Sequence, residues 1–285
     1  MPIKIIFILL FSFSAKAQTL DNALQASSQS AKPSRYSGFA LLQHYAGFGD
    51  QRNEPSTLMF GQINYKIDKV ILFANQNASK VYYVADENEP EIIFADTQVG
   101  ALKIFKDVLG GSLQVRAFLT LPVSELSRRN GLITRPDFRF RNNWMFFDNK
   151  LSIGLGAEAM LFVNQYTTTS TGPGDEGLGS PLPLFRTTFQ SVLNYNFNSK
   201  FSLSGYAFYL NRQFEKLGPS STFGSGNTSN NDFWYGLTFN YAYNNNWVGT
   251  LAFDHTNTLE QNGGVDFTTF DAVTSQWSVG VNYIF

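Results

Sequence analysis

Cysteine is absent from the 285 residues, which excludes disulfides and thiol chemistry even in a compartment that permits them. Charge is also scarce: Asp, Glu, Lys and Arg make up 15% of the chain, against roughly 25% in a typical soluble domain. A formal net charge of -1 gives no global attraction toward nucleic acid. No Gly-rich phosphate loop, zinc-ligand spacing or nucleic-acid motif occurs. Beyond Ala17 no stretch approaches the roughly 18 uninterrupted apolar residues of a membrane-spanning helix, and the mean hydropathy is slightly negative. Histidine is limited to His44 and His255, so acid–base catalysis has few places to sit.

What the chain has in excess is aromatic: 28 Phe, 13 Tyr and 4 Trp. Residues 1–17 carry the three parts of a secretory signal peptide, with Lys4, an apolar run from Ile5 to Phe13, and the small-residue site Ala15-Lys16-Ala17 before Gln18. The apolar run is too short to span a bilayer, so the expectation is a cleaved signal and a mature chain from Gln18. Export without a helical anchor leaves a soluble extracytoplasmic protein or a β-barrel, whose strands show only alternating hydrophobicity. Low charge with many aromatics suits the barrel.

The final segment places Trp277, Val279, Val281, Tyr283 and Phe285 on one face and Ser278, Gly280 and Asn282 on the other. A terminal aromatic closing an alternating strand resembles the C-terminal strand of bacterial outer-membrane barrels. That resemblance implies a Gram-negative outer membrane and recognition of Phe285 by the barrel assembly machinery.

A barrel predicts short turns at one end alternating with long loops at the other. Tight connections are expected at Asp68-Lys69, Asp107 to Gly111, Asp148-Asn149-Lys150, Asn198-Ser199-Lys200 and Asn244-Asn245-Asn246. Longer loops fall at 48–55, 85–90, 122–136, 167–183, 215–231 and 261–273. Eleven connections make twelve strands with both ends in the periplasm, at 37–47, 56–67, 70–84, 92–106, 112–121, 137–147, 151–166, 185–197, 201–214, 232–243, 247–260 and 274–285. The fold is an all-β, transmembrane, antiparallel up-and-down barrel over 35–285, after a polar periplasmic tail at 18–34. The first, third and fourth strands alternate poorly. Tyr195, Phe197, Phe201, Tyr243, Trp247, Tyr283 and Phe285 sit beside the short turns or the terminus and read as the lower aromatic girdle.

Charge in a barrel wall belongs in the watery interior. By strand parity Lys66, Arg116, Arg139, Arg141, Glu158, Arg186, Arg212 and Asp254 point inward. Folding the sixth and seventh strands about Asn149 brings Arg141 opposite Glu158 as an ion pair; folding the eighth and ninth about Ser199 sets Arg186 opposite Arg212, a like-charged pair that needs a counter-charge. The pore-lining candidates are therefore Arg116, Arg139, Arg141, Glu158, Arg186 and Arg212. Rings of Arg attract anions in anion pores; the same residues also read as solvated arginines balanced by loop carboxylates or lipopolysaccharide phosphate. About eight strands leave an interior that side chains fill, and about 16–18 leave an open channel. Twelve implies a narrow pore, open or occluded by inward Phe118, Tyr206, Phe208 and Trp234, which read either as a stacking surface for a sugar or base or as packing of the interior.

In size the chain resembles the twelve-stranded outer-membrane channels, the nucleoside-specific channels and the acidic-oligosaccharide porins. The stretch His44-Tyr-Ala-Gly-Phe-Gly-Asp-Gln-Arg-Asn53 resembles the first hairpin of the nucleoside channels. What the resemblance implies is a passive, porin-like channel for small hydrophilic solutes, anion-preferring if the arginines form the constriction. Two other classes stay open: a lipid-modifying enzyme, with His255 facing lipid beside Ser275 or Ser278, and a structural or adhesive barrel acting through its loops. Consecutive Asp254 and His255 face opposite ways, which counts against the enzyme. Asp175 and Glu176 are too few carboxylates to specify Ca²⁺, so neither metal nor cofactor is implied. The expected partners are outer-membrane lipid and lipopolysaccharide, a small hydrophilic solute and the assembly machinery, with no nucleic acid; the subunit count is not readable.

Overall fold

Side chains that alternate between two environments, punctuated by residues that tolerate left-handed backbone, make a succession of antiparallel hairpins. A computed structural model describes residues 35–47, 55–82, 92–169, 180–214, 229–258, 260–261, 264–265 and 274–285. The expected signal peptide (1–17), the polar tail (18–34), Asp175, Glu176 and the 48–53 portion of the nucleoside-channel resemblance lie outside the described residues.

Twelve long strands form the wall: β1 (Tyr36–Gly47), β2 (Ser56–Ile67), β3 (Val70–Val81), β4 (Thr97–Val108), β5 (Gly111–Leu121), β6 (Leu132–Phe146), β7 (Leu151–Leu161), β8 (Pro183–Asn196), β9 (Phe201–Phe214), β10 (Ser229–Ala242), β11 (Trp247–Thr258) and β12 (Ser275–Ile284). Each pairs antiparallel with the next. β12 returns to pair with β1, Phe39 opposite Ile284 and His44 opposite Val279, so the sheet closes and no wall strand is left as an edge.

All five expected tight turns are present. Asp68, Asp107, Asp148 and Asn149 take positive φ, from 50° to 66°, a conformation that Asn and Asp tolerate. The last two turns repeat one device. Asn198 Oδ1 accepts from the amides of Lys200 and Phe201 at 2.8 and 3.0 Å, and Asn244 Oδ1 accepts from Asn246 and Trp247, both at 2.9 Å.

The expected strand 151–166 ends at Leu161, with Val163–Asn164 pairing separately with β6, and two further elements differ from the sequence expectation. β6 begins at Leu132, not after Pro136: Pro136 pairs with Leu119 of β5, while the ladder to β7 starts only at Asp137. A proline is tolerated where one flank asks for no N–H. The expected fourth strand is interrupted at Ala95 and Asp96, splitting Ile92–Phe94 from β4. The break turns Asp96 toward a short helix, α1 (Glu125–Arg129), inside the segment read as loop. Asp96 accepts from the Ser124 amide at 2.9 Å and the Ser127 hydroxyl at 2.5 Å, and Ser124 Oγ caps the helix.

The outward face is apolar all round, with Leu42, Ile63, Leu119, Phe138, Leu155, Phe189, Leu237, Leu251 and Val279 all exposed. An encircling surface of that kind matches lipid, not water. The aromatics expected beside the turns do lie there, in contacts such as Tyr195–Phe197 (5.0 Å), Trp247–Tyr283 (4.7 Å) and Phe201–Tyr241 (4.9 Å). β1 alternates poorly in sequence because both its faces are apolar: Phe39, Leu41 and Tyr45 point in, and Ala40 and Leu42 point out.

Candidate functional site

The interior is densely lined. On β5 to β10, inward parity places Arg116, Arg139, Glu158, Thr188, Leu210 and Asp232 along one line of cross-strand partners, and Phe118, Asp137, Met160, Arg186 and Arg212 along the next. All six expected pore-lining residues share this wall. Its charges are nearly all buried, Arg116 to 5%, Arg141 to 4% and Glu158 to 6%.

Register decides which charges meet. The turn between β6 and β7 occupies four residues, 147–150, so Arg139 stands opposite Glu158 and Arg141 opposite Gly156, one pair away from the expected Arg141–Glu158 partnership. Glu158 bonds Arg139 through one carboxylate oxygen and Arg186 through the other, the latter at 2.5 Å. Arg186 faces Arg212 as the register about Ser199 requires, and Arg212 bonds Asp232. Each like-charged neighbour thus has its own carboxylate, which makes the pairing tolerable in a buried wall.

Arg141 occupies the space left by two glycines. A Cβ on Gly154 would meet Asn143 Oδ1 at 2.6 Å and Arg141 Cδ at 3.3 Å, and one on Gly156 would meet Gln190 Nε2 at 2.7 Å and Arg141 Cβ at 3.0 Å. The guanidinium of Arg116 lies 5.1 Å from the ring of Phe73, within cation–π range.

Sequence reasoning missed Arg135, Asp137 and Asp232. Arg135 was hidden by the loop boundary drawn through Pro136, yet it points inward 5.6 Å from the Phe162 ring. Asp137 and Asp232 share the parity of Arg139 and Trp234, so alternation carried the signal. Lys66 keeps the inward parity but is exposed at the turn end.

The apolar part of the lumen shares the strands of the charged wall, on β8 to β10 nearer the short turns than Arg186 and Arg212, and continues on β3 to β5. Tyr206 stacks on Phe208 at 4.9 Å, and both pack with Val192, Leu210 and Trp234; Phe118 joins Phe73 and Leu102. All four aromatics expected to narrow the pore are buried there.

On the outer face, His255 Nδ1 lies 2.8 Å from Ser275 Oγ and its ring 5.1 Å from that of Tyr235. His255 is 1% exposed and Ser275 0%. His44 lies 3.0 Å from the Thr57 hydroxyl, which in turn lies 2.9 Å from that of Tyr82.

No family model matches the chain, and no curated protein matches it in sequence. Among solved structures it is similar to an outer membrane channel from Pseudomonas putida F1, with TM-score 0.56 and 12% identity over 90% of this chain and 97% of that one. It is similar also to the NanC porin, with TM-score 0.52 and 10% identity over 86% and 98%. At these identities the likeness establishes the barrel fold.

Proposed function

We propose that this chain is a Gram-negative outer-membrane channel, exported by a cleaved signal peptide, that lets small hydrophilic solutes diffuse passively and prefers anions. The short turns then face the periplasm, the long loops the outside, and the outward face contacts membrane lipid and lipopolysaccharide. One observation carries the reading: the lumen of a lipid-compatible barrel holds six arginines (Arg116, Arg135, Arg139, Arg141, Arg186 and Arg212) against five carboxylates (Asp96, Asp137, Glu158, Asp232 and Asp254). Excess fixed positive charge in a narrow, low-dielectric passage raises the local concentration of anions. The two similar structures are themselves described as a channel and a porin, which supports the same reading.

Buried polar groups support a hydrated lumen. Asn77, Thr120, Thr188, Gln190 and Asn282 each carry a buried polar atom with no protein partner, and such groups are stable only when water or solute bonds them. Purified protein in a planar bilayer should give discrete conductance steps. Silence at all voltages and salts would reject the channel.

A second reading, a lipid-modifying barrel, is favoured by the His255–Ser275 contact alone. A serine nucleophile needs a neighbouring base, but it also needs access, and this hydroxyl is fully covered. We therefore read the pair as structural and the protein as a channel, not an enzyme.

A further inference from the structure

The lumen wall across from Arg116 and Arg139 carries a carboxylate of a different kind. Asp254 points inward from β11, is 5% exposed, and has Tyr206 as its hydrogen-bond donor. Its second oxygen, Oδ2, is buried with no partner, as is the hydroxyl of Tyr45, which points inward from β1 on the other side of β12, opposite Ser278 and one inward position from the Asp254–Gln276 pair. Its cross-strand neighbours, Gly236 and Gln276, are neutral. Among the described residues no arginine or lysine forms an ion pair with it. Gly236 keeps the place open: a Cβ there would meet the Tyr206 hydroxyl at 2.6 Å and Asp254 Oδ1 at 2.7 Å.

Position sets this carboxylate against Arg116. In a closed ring of twelve strands β11 and β5 are six steps apart either way, so Asp254 and Arg116 stand on opposite walls. Height agrees as well. Counted from the short-turn end, Asp254 is seven residues beyond Trp247, Arg139 seven from Phe146, and Arg116 five from Gly111. The lumen therefore carries guanidinium on one side and, on the other, a buried carboxylate oxygen and a buried phenol hydroxyl that have no protein partner. A buried carboxylate without a cation is costly, and an ammonium flanked by tyrosine rings gains both charge and cation–π attraction.

We propose that Asp254, Tyr45 and Tyr206 form a subsite for the ammonium group of a zwitterionic solute whose carboxylate lies toward Arg116 and Arg139. The permeant class is small amino acids and related zwitterions, aligned across the lumen by the two walls. This rests on the channel reading and narrows it.

The test is swelling of liposomes carrying the full-length protein, in alanine and in its neutral isomer lactamide, with potassium chloride conductance measured on the same preparation. Alanine should enter faster than lactamide. Asp254→Asn, which can still accept from Tyr206, should lower the alanine-to-lactamide ratio about threefold, the scale of one solvated charge contact, while conductance persists. Tyr45→Phe, which deletes only the unpartnered hydroxyl, should lower it in the same direction and serves if Asp254→Asn fails to refold. Conductance with equal alanine and lactamide rates, or a ratio unmoved by both variants, overturns the subsite and leaves the channel standing. Absence of conductance rejects the channel and the subsite together.

Discussion

Arg186 and Arg212 stand directly opposite each other across the β8–β9 hairpin, and each is held by a different carboxylate, Glu158 for the first and Asp232 for the second. Two guanidinium groups one strand apart are stable there only because the neighbouring strands on both sides deliver counter-charge.

Glu158 serves two arginines at once, so its loss should be felt more than that of any other lumen carboxylate. Glu158→Gln should destabilise the barrel by about 3 kcal/mol, the scale of a broken buried ion pair, and more than Asp232→Asn. Urea unfolding followed by tryptophan fluorescence checks this; equal midpoints for the two variants would contradict it.

Ion selectivity should follow the arginine excess. In a salt gradient the reversal potential of the Arg186→Ala/Arg212→Ala channel should move toward cations relative to wild type, since two fixed positive charges are then removed from the lumen wall. No movement would remove the pair from the filter.

Asn198 and Asn244 each bond two amides at the turn ends of β9 and β11. Either Asn→Ala change should cost about 1 kcal/mol, with no effect on conductance or selectivity. A conductance change would mean that these turns reach the permeation path.

The wild-type barrel and Ser275→Ala should release fatty acid from phospholipid vesicles at the same background rate. Release by the wild type that the substitution abolishes would revive the enzyme reading.

At the seam, a Cβ on Gly38 would meet the ring of Phe285 at 2.5 Å, and the two residues exchange backbone hydrogen bonds at 2.9 and 3.0 Å. Gly38→Val should therefore dislodge the ring and slow closure of β1 on β12. The rate at which the compact, heat-modifiable band forms on a gel reads this out; an unchanged rate would separate the ring contact from closure.

Much of the architecture was legible because turn chemistry and parity are local. The Asn and Asp clusters marked all five short turns, and alternation assigned the inward face of every arginine named. What failed was whatever depended on a neighbour. Pro136 reads as a break until β5 is seen to be its ladder partner, and hiding it hid Arg135. The partner of Glu158 moved from Arg141 to Arg139 because turn length is set in three dimensions, not by the centre of a polar cluster. The isolation of Asp254 was invisible too, since it depends on which residues β10 and β12 set beside it.

The two apolar faces of β1 bear on how the protein is made. Until β12 arrives, Phe39, Leu41 and Leu42 belong to an open strand with no water-compatible side and a free row of backbone donors and acceptors. Sealing the cylinder is thus a protective act as well: the same pairing that closes the barrel covers the backbone edge of a strand that is apolar on both faces.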